Sequence, residues 1–239
     1  MKNESSSPPP LKQSKIDNYH SERGAEAYKR DYQERLHRQL SDRRERRIFA
    51  RYFDRLGRVD SVLDLPCGAG RLFEMLSGHA DRVIEADFSP SMIELNRRDH
   101  DGAADRYLEC SALDIPLAEN EVELIVSVRL SHHLHRPEDR RRHLEELFRV
   151  ARRAVIVTWF DYHSIKNCLR RIRAPFDKKR AKNTMRKAEV REIARACGFR
   201  PVAMIPLSRL ASGHVFGLFE AESAGPPSQS GGTGGPARS

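Results

Sequence analysis

Val62 to Leu72 reads VLDLPCGAGRL, and the fold turns on how this stretch is understood. An apolar run too brief for a helix ends in Asp64 and Leu65. Pro66, Cys67 and two glycines one residue apart then force a turn, and a helical pattern follows. A nicotinamide or flavin fingerprint would need G-x-G-x-x-G. Counting from Gly68 puts Phe73 in the third glycine position, and counting from two residues earlier puts Pro66 and Arg71 in glycine positions. No Lys-Ser/Thr pair follows the second glycine, so a phosphate-cradling Walker loop is also absent. The turn therefore suits a ligand without phosphates, approached closely by backbone that lacks Cβ atoms.

Working outward, strand and helix signals alternate. SVLDL (61–65), RVIEADF (82–88), RYLEC (106–110), VELIVSV (122–128) and AVIVTWF (154–160) read as strands, and PVAMIPL and HVFGLFEA as a closing hairpin. Helices are predicted over 21–39, from an N-cap at Ser41 to Leu56, from Gly70 to Leu76, after Ser89-Pro90, over 137–152 with Ala151 facing inward, and over 187–197. This order predicts an α/β, Rossmann-like, mainly parallel seven-stranded sheet with helices on both faces and a C-terminal antiparallel hairpin. Such sheets take ligands beyond the carboxyl ends of their strands, where the glycine turn lies. Asp87 ends the second strand 17 residues after Gly70, placed to accept both hydrogens of a ribose diol, and Asp64 offers a negative group to a cationic ligand.

The 239 residues are enough for one sizeable domain. Residues 1–15 and 223–239 are predicted to be a disordered arm and tail around a domain spanning 16–222, with a helical lid at 16–56 and a basic insertion at 162–187. No run is long and apolar enough for a bilayer, and the N-terminus lacks the apolar core of a secretory signal. Four scattered cysteines without a C-x-x-C pair predict neither a disulfide framework nor a metal site, and a cytoplasmic setting. The net charge is +9, and residues 166–187 alone hold ten Lys or Arg against one acid, Asp177, so the basicity is local.

Four blocks in order, VLDLPCGAGRL, VIEADFSPSMIELNR, SALDIPLAENEVELIVS and SVRLSHHLHRPEDRRRHLEELFRV, resemble the class I S-adenosylmethionine-dependent methyltransferases of the broad type 11 group. The likeness spans about residues 45–160. It implies S-adenosyl-L-methionine as cofactor, held by Asp64, Cys67, Gly68, Ala69, Gly70, Asp87, Phe88, Ser89, Met92, Ser111, Ala112, Leu113, Ser127 and Arg129. Pro66 stands where the family usually has glycine, and Ser111 where it often has aspartate. Cys67 has no base beside it in sequence and reads as a small turn residue rather than a nucleophile.

His133, His132 and Arg129 are the catalytic candidates. An imidazole could take a proton from a hydroxyl acceptor, and Arg129 could hold an anionic group. Packing explains the histidine pair equally well. Tyr28 and Tyr32 in the lid, and Asp161 and Tyr162 after the fifth strand, are substrate candidates. The expected acceptor is a small or lipid-like molecule, methylated at oxygen or carbon. The basic segment either is a solvated surface or docks to something anionic. Nucleic acid is disfavoured there because Phe176 is the segment's one aromatic residue. A non-catalytic binding module and an RNA methyltransferase remain as alternative readings.

Overall fold

The computed structural model describes residues 36–173, 183–208, 210 and 212–222. Helix α1 (Leu36–Leu56) leads into strand β1 (Val59–Asp64), followed by α2 (Phe73–Ser77), β2 (Ala80–Asp87), α3 (Pro90–Asp99) and β3 (Arg106–Glu109). Then come β4 (Val122–Ser127), α4 (Pro137–Val150), β5 (Ala151–Phe160), α5 (Ile165–Arg173), α6 (Lys187–Ala196), β6 (Phe199–Pro206) and β7 (His214–Ala221). The seven strands form one sheet in the order β3-β2-β1-β4-β5-β7-β6. The first five run parallel, and β7 pairs antiparallel with both β5 and β6. The sequence reading of the sheet is thus borne out, closing hairpin included.

Both faces of the sheet are covered, so its strands read as near-continuous apolar runs. Alternate residues go to opposite sides. Leu63, Ile125, Val155 and Val157 pack with Leu144, Leu147 and Phe148 of α4 and Val190 and Ile193 of α6. Val62, Leu124, Val126 and Ile156 pack with Phe49, Tyr52 and Phe53 of α1 and Leu76 of α2. Helix α1 is also tied to strand β7, where Tyr52 Oη donates to the Phe216 carbonyl (2.7 Å) and Arg55 forks onto Glu220 (2.7 and 3.0 Å).

Three sequence expectations are corrected. No helix begins at Ser41: α1 runs unbroken from Leu36 to Leu56, a stretch with no glycine or proline to interrupt it. The helix after the glycine turn begins at Phe73 rather than Gly70, because Gly68 and Gly70 both have positive φ (55° and 74°). Ala151 opens β5 instead of closing α4, and its burial belongs to the sheet. Tyr28 and Tyr32 lie outside the described residues, as do residues 174–182 of the basic segment. All four cysteines are free thiols, and no described helix is long and apolar enough to cross a membrane.

Candidate active site

The carboxyl ends of β1 and β2 bring three acids together. Asp64 ends β1 and is buried, and among the described residues neither of its carboxyl oxygens has a hydrogen-bond partner. Burial, then the nearby Glu85, push its carboxyl well above the usual range; Arg71 opposes this, and Asp87 adds to it. Glu85 lies one pleat before Asp87 on β2. Burial raises it to about 7 although Asn96 Nδ2 donates to its Oε2 (2.6 Å). Asp87 is better placed. Its Oδ2 accepts from the Gly68 N–H and its Oδ1 from the Ser89 N–H, both at 2.9 Å, so one carboxylate shapes the glycine turn and the start of α3 together.

The two glycines of that turn do different jobs. A Cβ on Gly70 would run into the Asn96 side-chain oxygen Oδ1 and lie 2.5 Å from His100 Nε2, so this glycine lets α3 approach. A Cβ on Gly68 would meet nothing within 4 Å. It would stand in open space at the strand end, in a cradle that glycine leaves free. The Leu65–Pro66 peptide leading into the turn is cis. Cys67 is buried, and burial together with the neighbouring carboxylates pushes its thiol well above its ordinary value, so it stays protonated. Met92 and Leu95 of α3 pack with Ala69 beneath the turn, while the Phe88 ring at the mouth is 61% exposed.

The floor beside β3 and β4 is held by a residue that sequence reasoning did not single out. His143 of α4 is fully buried, with Nδ1 3.2 Å from the Ala112 carbonyl and Nε2 3.2 Å from Ser127 Oγ. A carbonyl only accepts, so Nδ1 carries the proton and Nε2 receives the serine hydroxyl. Ser127 is therefore committed to His143. Ser111 Oγ accepts the Leu113 N–H (3.1 Å), folding Ala112 and Leu113 into a tight turn.

Burial lowers the imidazole of His143 to about 4. With its folded value depressed below its unfolded value of about 6.5, the unfolded chain takes up the proton first as pH falls. Unfolding free energy should therefore drop by roughly 3 kcal/mol from this group as pH goes from 6.5 to 4. Urea titrations of the protein and of His143→Gln would check it: the variant should lose that part of the slope, and identical slopes would refute the assignment.

On the other side of the turn, Arg71 and Arg129 converge on α1. Glu45 of α1 is buried, with Oε1 2.6 Å from Arg71 Nη2 and Oε2 2.8 Å from Arg129 Nη2; Asp42 lies 3.8 and 3.7 Å from the same two arginines. Burial raises the Glu45 carboxyl, but the two guanidinium groups outweigh it and hold the group below its ordinary value. This latch fastens α1 across the glycine turn and the loop after β4. Arg129 itself has φ 68°, its N–H bound to Thr158 Oγ1 (2.7 Å). Its guanidinium thus faces α1 through Glu45.

The loop after β4 carries the histidines. His133 is exposed, and its N–H closes a turn on the Leu130 carbonyl (2.8 Å). His132 is half-buried, its ring 4.1 Å from that of His133, 4.9 Å from Phe160 and 5.4 Å from His214. His214 was not anticipated. It opens β7, and the antiparallel register sets it opposite Phe160 at the end of β5. Asn183 pins the loop by donating to the His132 carbonyl (2.9 Å) and to His135 Nδ1 (3.0 Å). Asp161 is buried, with Lys187 Nζ at 3.8 Å, and the Tyr162 ring lies under the Arg171 and Arg186 guanidinium groups (3.8 and 4.9 Å). Asp161 thus faces Lys187, and Tyr162 faces Arg171 and Arg186.

A seven-stranded sheet with a reversed last hairpin, a glycine turn after β1 and an acid closing β2 defines a Rossmann-like α/β domain. Residues 62–154 match the family model described as a methyltransferase domain. Over that stretch the chain is similar to methyltransferase domains. Among solved structures it is similar to the magnesium protoporphyrin IX methyltransferase from Synechocystis with bound S-adenosylhomocysteine (TM-score 0.71, 12% identity, 88% of this chain and 100% of that one). It is also similar to the N-methyltransferase NodS from Bradyrhizobium japonicum in complex with S-adenosyl-L-homocysteine (TM-score 0.64, 14% identity, 87% and 97%). A third likeness is to a complex of the Haloferax volcanii Trm112 methyltransferase activator and a methyltransferase (TM-score 0.55, 18% identity, 70% and 83%). At these identities the likeness is one of fold. No curated protein matches the chain.

Proposed function

We propose that this protein methylates a small or lipid-like acceptor at oxygen or carbon, with S-adenosylmethionine bound over the glycine turn and the acceptor at the histidine loop. The observation that carries the cofactor placement is Asp64, a buried carboxyl without a hydrogen-bond partner beside an open glycine cradle. Such a group is costly in an empty protein and well used against a cation. The residues fit the cofactor. Asp64 would face its cationic end and Asp87 its ribose hydroxyls, with Phe88 and Met92 beside the adenosine and Ala112 and Leu113 bordering the adenine. The cofactor supplies a methyl group already activated on a sulfonium.

What remains for the chain is positioning and proton handling. His132, His133, Phe160 and His214 line the adjoining rim at the ends of β4, β5 and β7, combining apolar ring faces with imidazole nitrogens. That composition suits an acceptor with an apolar body and one ionisable hydroxyl or acidic C–H, whose proton an imidazole can take. His132→Gln and His214→Gln should each lower kcat about 100-fold if the ring is the base, with cofactor affinity unchanged. A loss in cofactor binding instead, or an unaltered pH profile of kcat, would refute this.

Calorimetry with S-adenosylmethionine and S-adenosylhomocysteine tests the cofactor, and absence of binding at sub-millimolar cofactor would overturn the placement. A labelled-methyl assay against cell extract divided into lipid, small-molecule, protein and RNA pools tests the acceptor. Label is expected in the lipid or small-molecule pool; label in RNA or protein alone would overturn the reading.

A further inference from the structure

Helix α5 is turned inside out. Its nine residues place Ile165, Leu169 and Ile172 at i, i+4 and i+7, one continuous stripe, and these side chains are 49%, 46% and 69% exposed. Its one buried residue is polar. Asn167 Nδ2 donates to the Asp161 carbonyl (2.8 Å), and its Oδ1 accepts from Arg170 Nη1 (3.1 Å). Gly213 packs against that amide so closely that a Cβ there would sit 2.5 Å from Nδ2. The helix is thereby held with its amide inward and its aliphatic stripe outward. Arg171 assists by donating to the Tyr162 carbonyl (2.7 Å).

We propose that α5 is a docking helix for an anionic lipid bilayer. Lys166, Arg170 and Arg173 flank the stripe, and six more Lys or Arg follow between residues 174 and 187. Aliphatic residues bounded by cations on one helix fit an interface where acyl chains meet anionic head groups. Other occupants fit less well. Residues 16–35 of the same chain carry five acids and four bases, which gives them no charge to offer. A second copy would bring an equally basic segment against the first. Nucleic acid has no use for aliphatic side chains that cannot stack on bases. The helix follows the carboxyl end of β5, the edge of the sheet that also carries the glycine turn and His132, so docking would bring the mouth of the site to the membrane. The proposal does not depend on the acceptor's identity, since partitioning is measured without turnover.

The test is co-flotation of the full chain with phosphatidylcholine vesicles, with and without phosphatidylglycerol, at low and high salt. Binding is expected only to the anionic vesicles and should weaken with salt. Lys166→Glu and Arg173→Glu should each lower partitioning about fivefold or more. The double variant Leu169→Glu, Ile172→Glu should lower it at least about tenfold even at low salt. Its S-adenosylhomocysteine affinity, measured in parallel, should stay that of the parent, which shows that it is folded and keeps this result separate from the cofactor assignment. Three results would overturn the proposal: equal binding to neutral vesicles, partitioning untouched by the double variant, or a dimer in solution that the double variant converts to monomer.

Discussion

Asp64→Asn should make the protein more stable at pH 8 and weaken its hold on S-adenosylmethionine. The carboxyl is buried without a hydrogen bond and stands close to Glu85 and Asp87, so ionising it is opposed by desolvation and by like charge. Its folded value is raised, so the stability it allows is fully present below its unfolded value and is lost as pH rises through the folded one. An amide of the same shape escapes that loss and can offer an N–H to the acids nearby. A gain of about 1–3 kcal/mol is expected at pH 8, shrinking toward zero in acid where Asp64 itself becomes neutral. The cofactor's cationic end loses its counter-charge, so affinity should fall on the order of 100-fold. Thermal unfolding across pH and calorimetry with S-adenosylmethionine read the two effects separately. A less stable variant at pH 8, or unchanged affinity, would refute the role given to this residue.

Gly70→Ala should cost about 3–5 kcal/mol of stability, whereas Gly68→Ala should cost about 1–2 kcal/mol and act on the cofactor instead. Both positions have positive φ, which a Cβ resists. Only at Gly70 does the new methyl strike neighbours that cannot yield. Asn96 is fully buried and bound to Glu85, and His100 lies against the Phe73 ring at 4.6 Å. At Gly68 the methyl would enter the open cradle and occupy room meant for the cofactor. Urea unfolding of the two variants should separate them by about 2 kcal/mol. Equal stabilities would show that the turn tolerates both alike and that α3 is not held by this contact.

How much of this could be read from the chain differs by residue. Asp64, the two glycines and Asp87 are legible because their meaning is local: a strand of a few residues, a turn that needs positive φ, and the end of the next strand. The closing hairpin is legible for the same reason, as two apolar runs around a short glycine-containing link. The pairing of Arg129 with Glu45 is not legible, because Glu45 lies 84 positions away on α1. Nothing in the local pattern distinguishes a guanidinium aimed at a ligand from one aimed at a helix. Glu85 and His143 are missed because an acid in a strand and a histidine in a charged helix look like surface residues until burial is known.

The sequence by itself thus determined the class of sheet, the place of the glycine turn and the residue types lining it, since periodicity and turn chemistry act over a few residues. The tertiary structure decided the rest. Pairing of β7 with β5 carried His214 to the histidine rim, and the Glu45 latch drew Arg129 toward α1. The fit of Asn167 against Gly213 settled which side of α5 faces outward. Cys168, Leu169 and Ile172 announce a helix through their spacing, but spacing is blind to rotation about the helix axis. That rotation is set by contacts from the end of β5 and the start of β7, and these exist only once the sheet has closed.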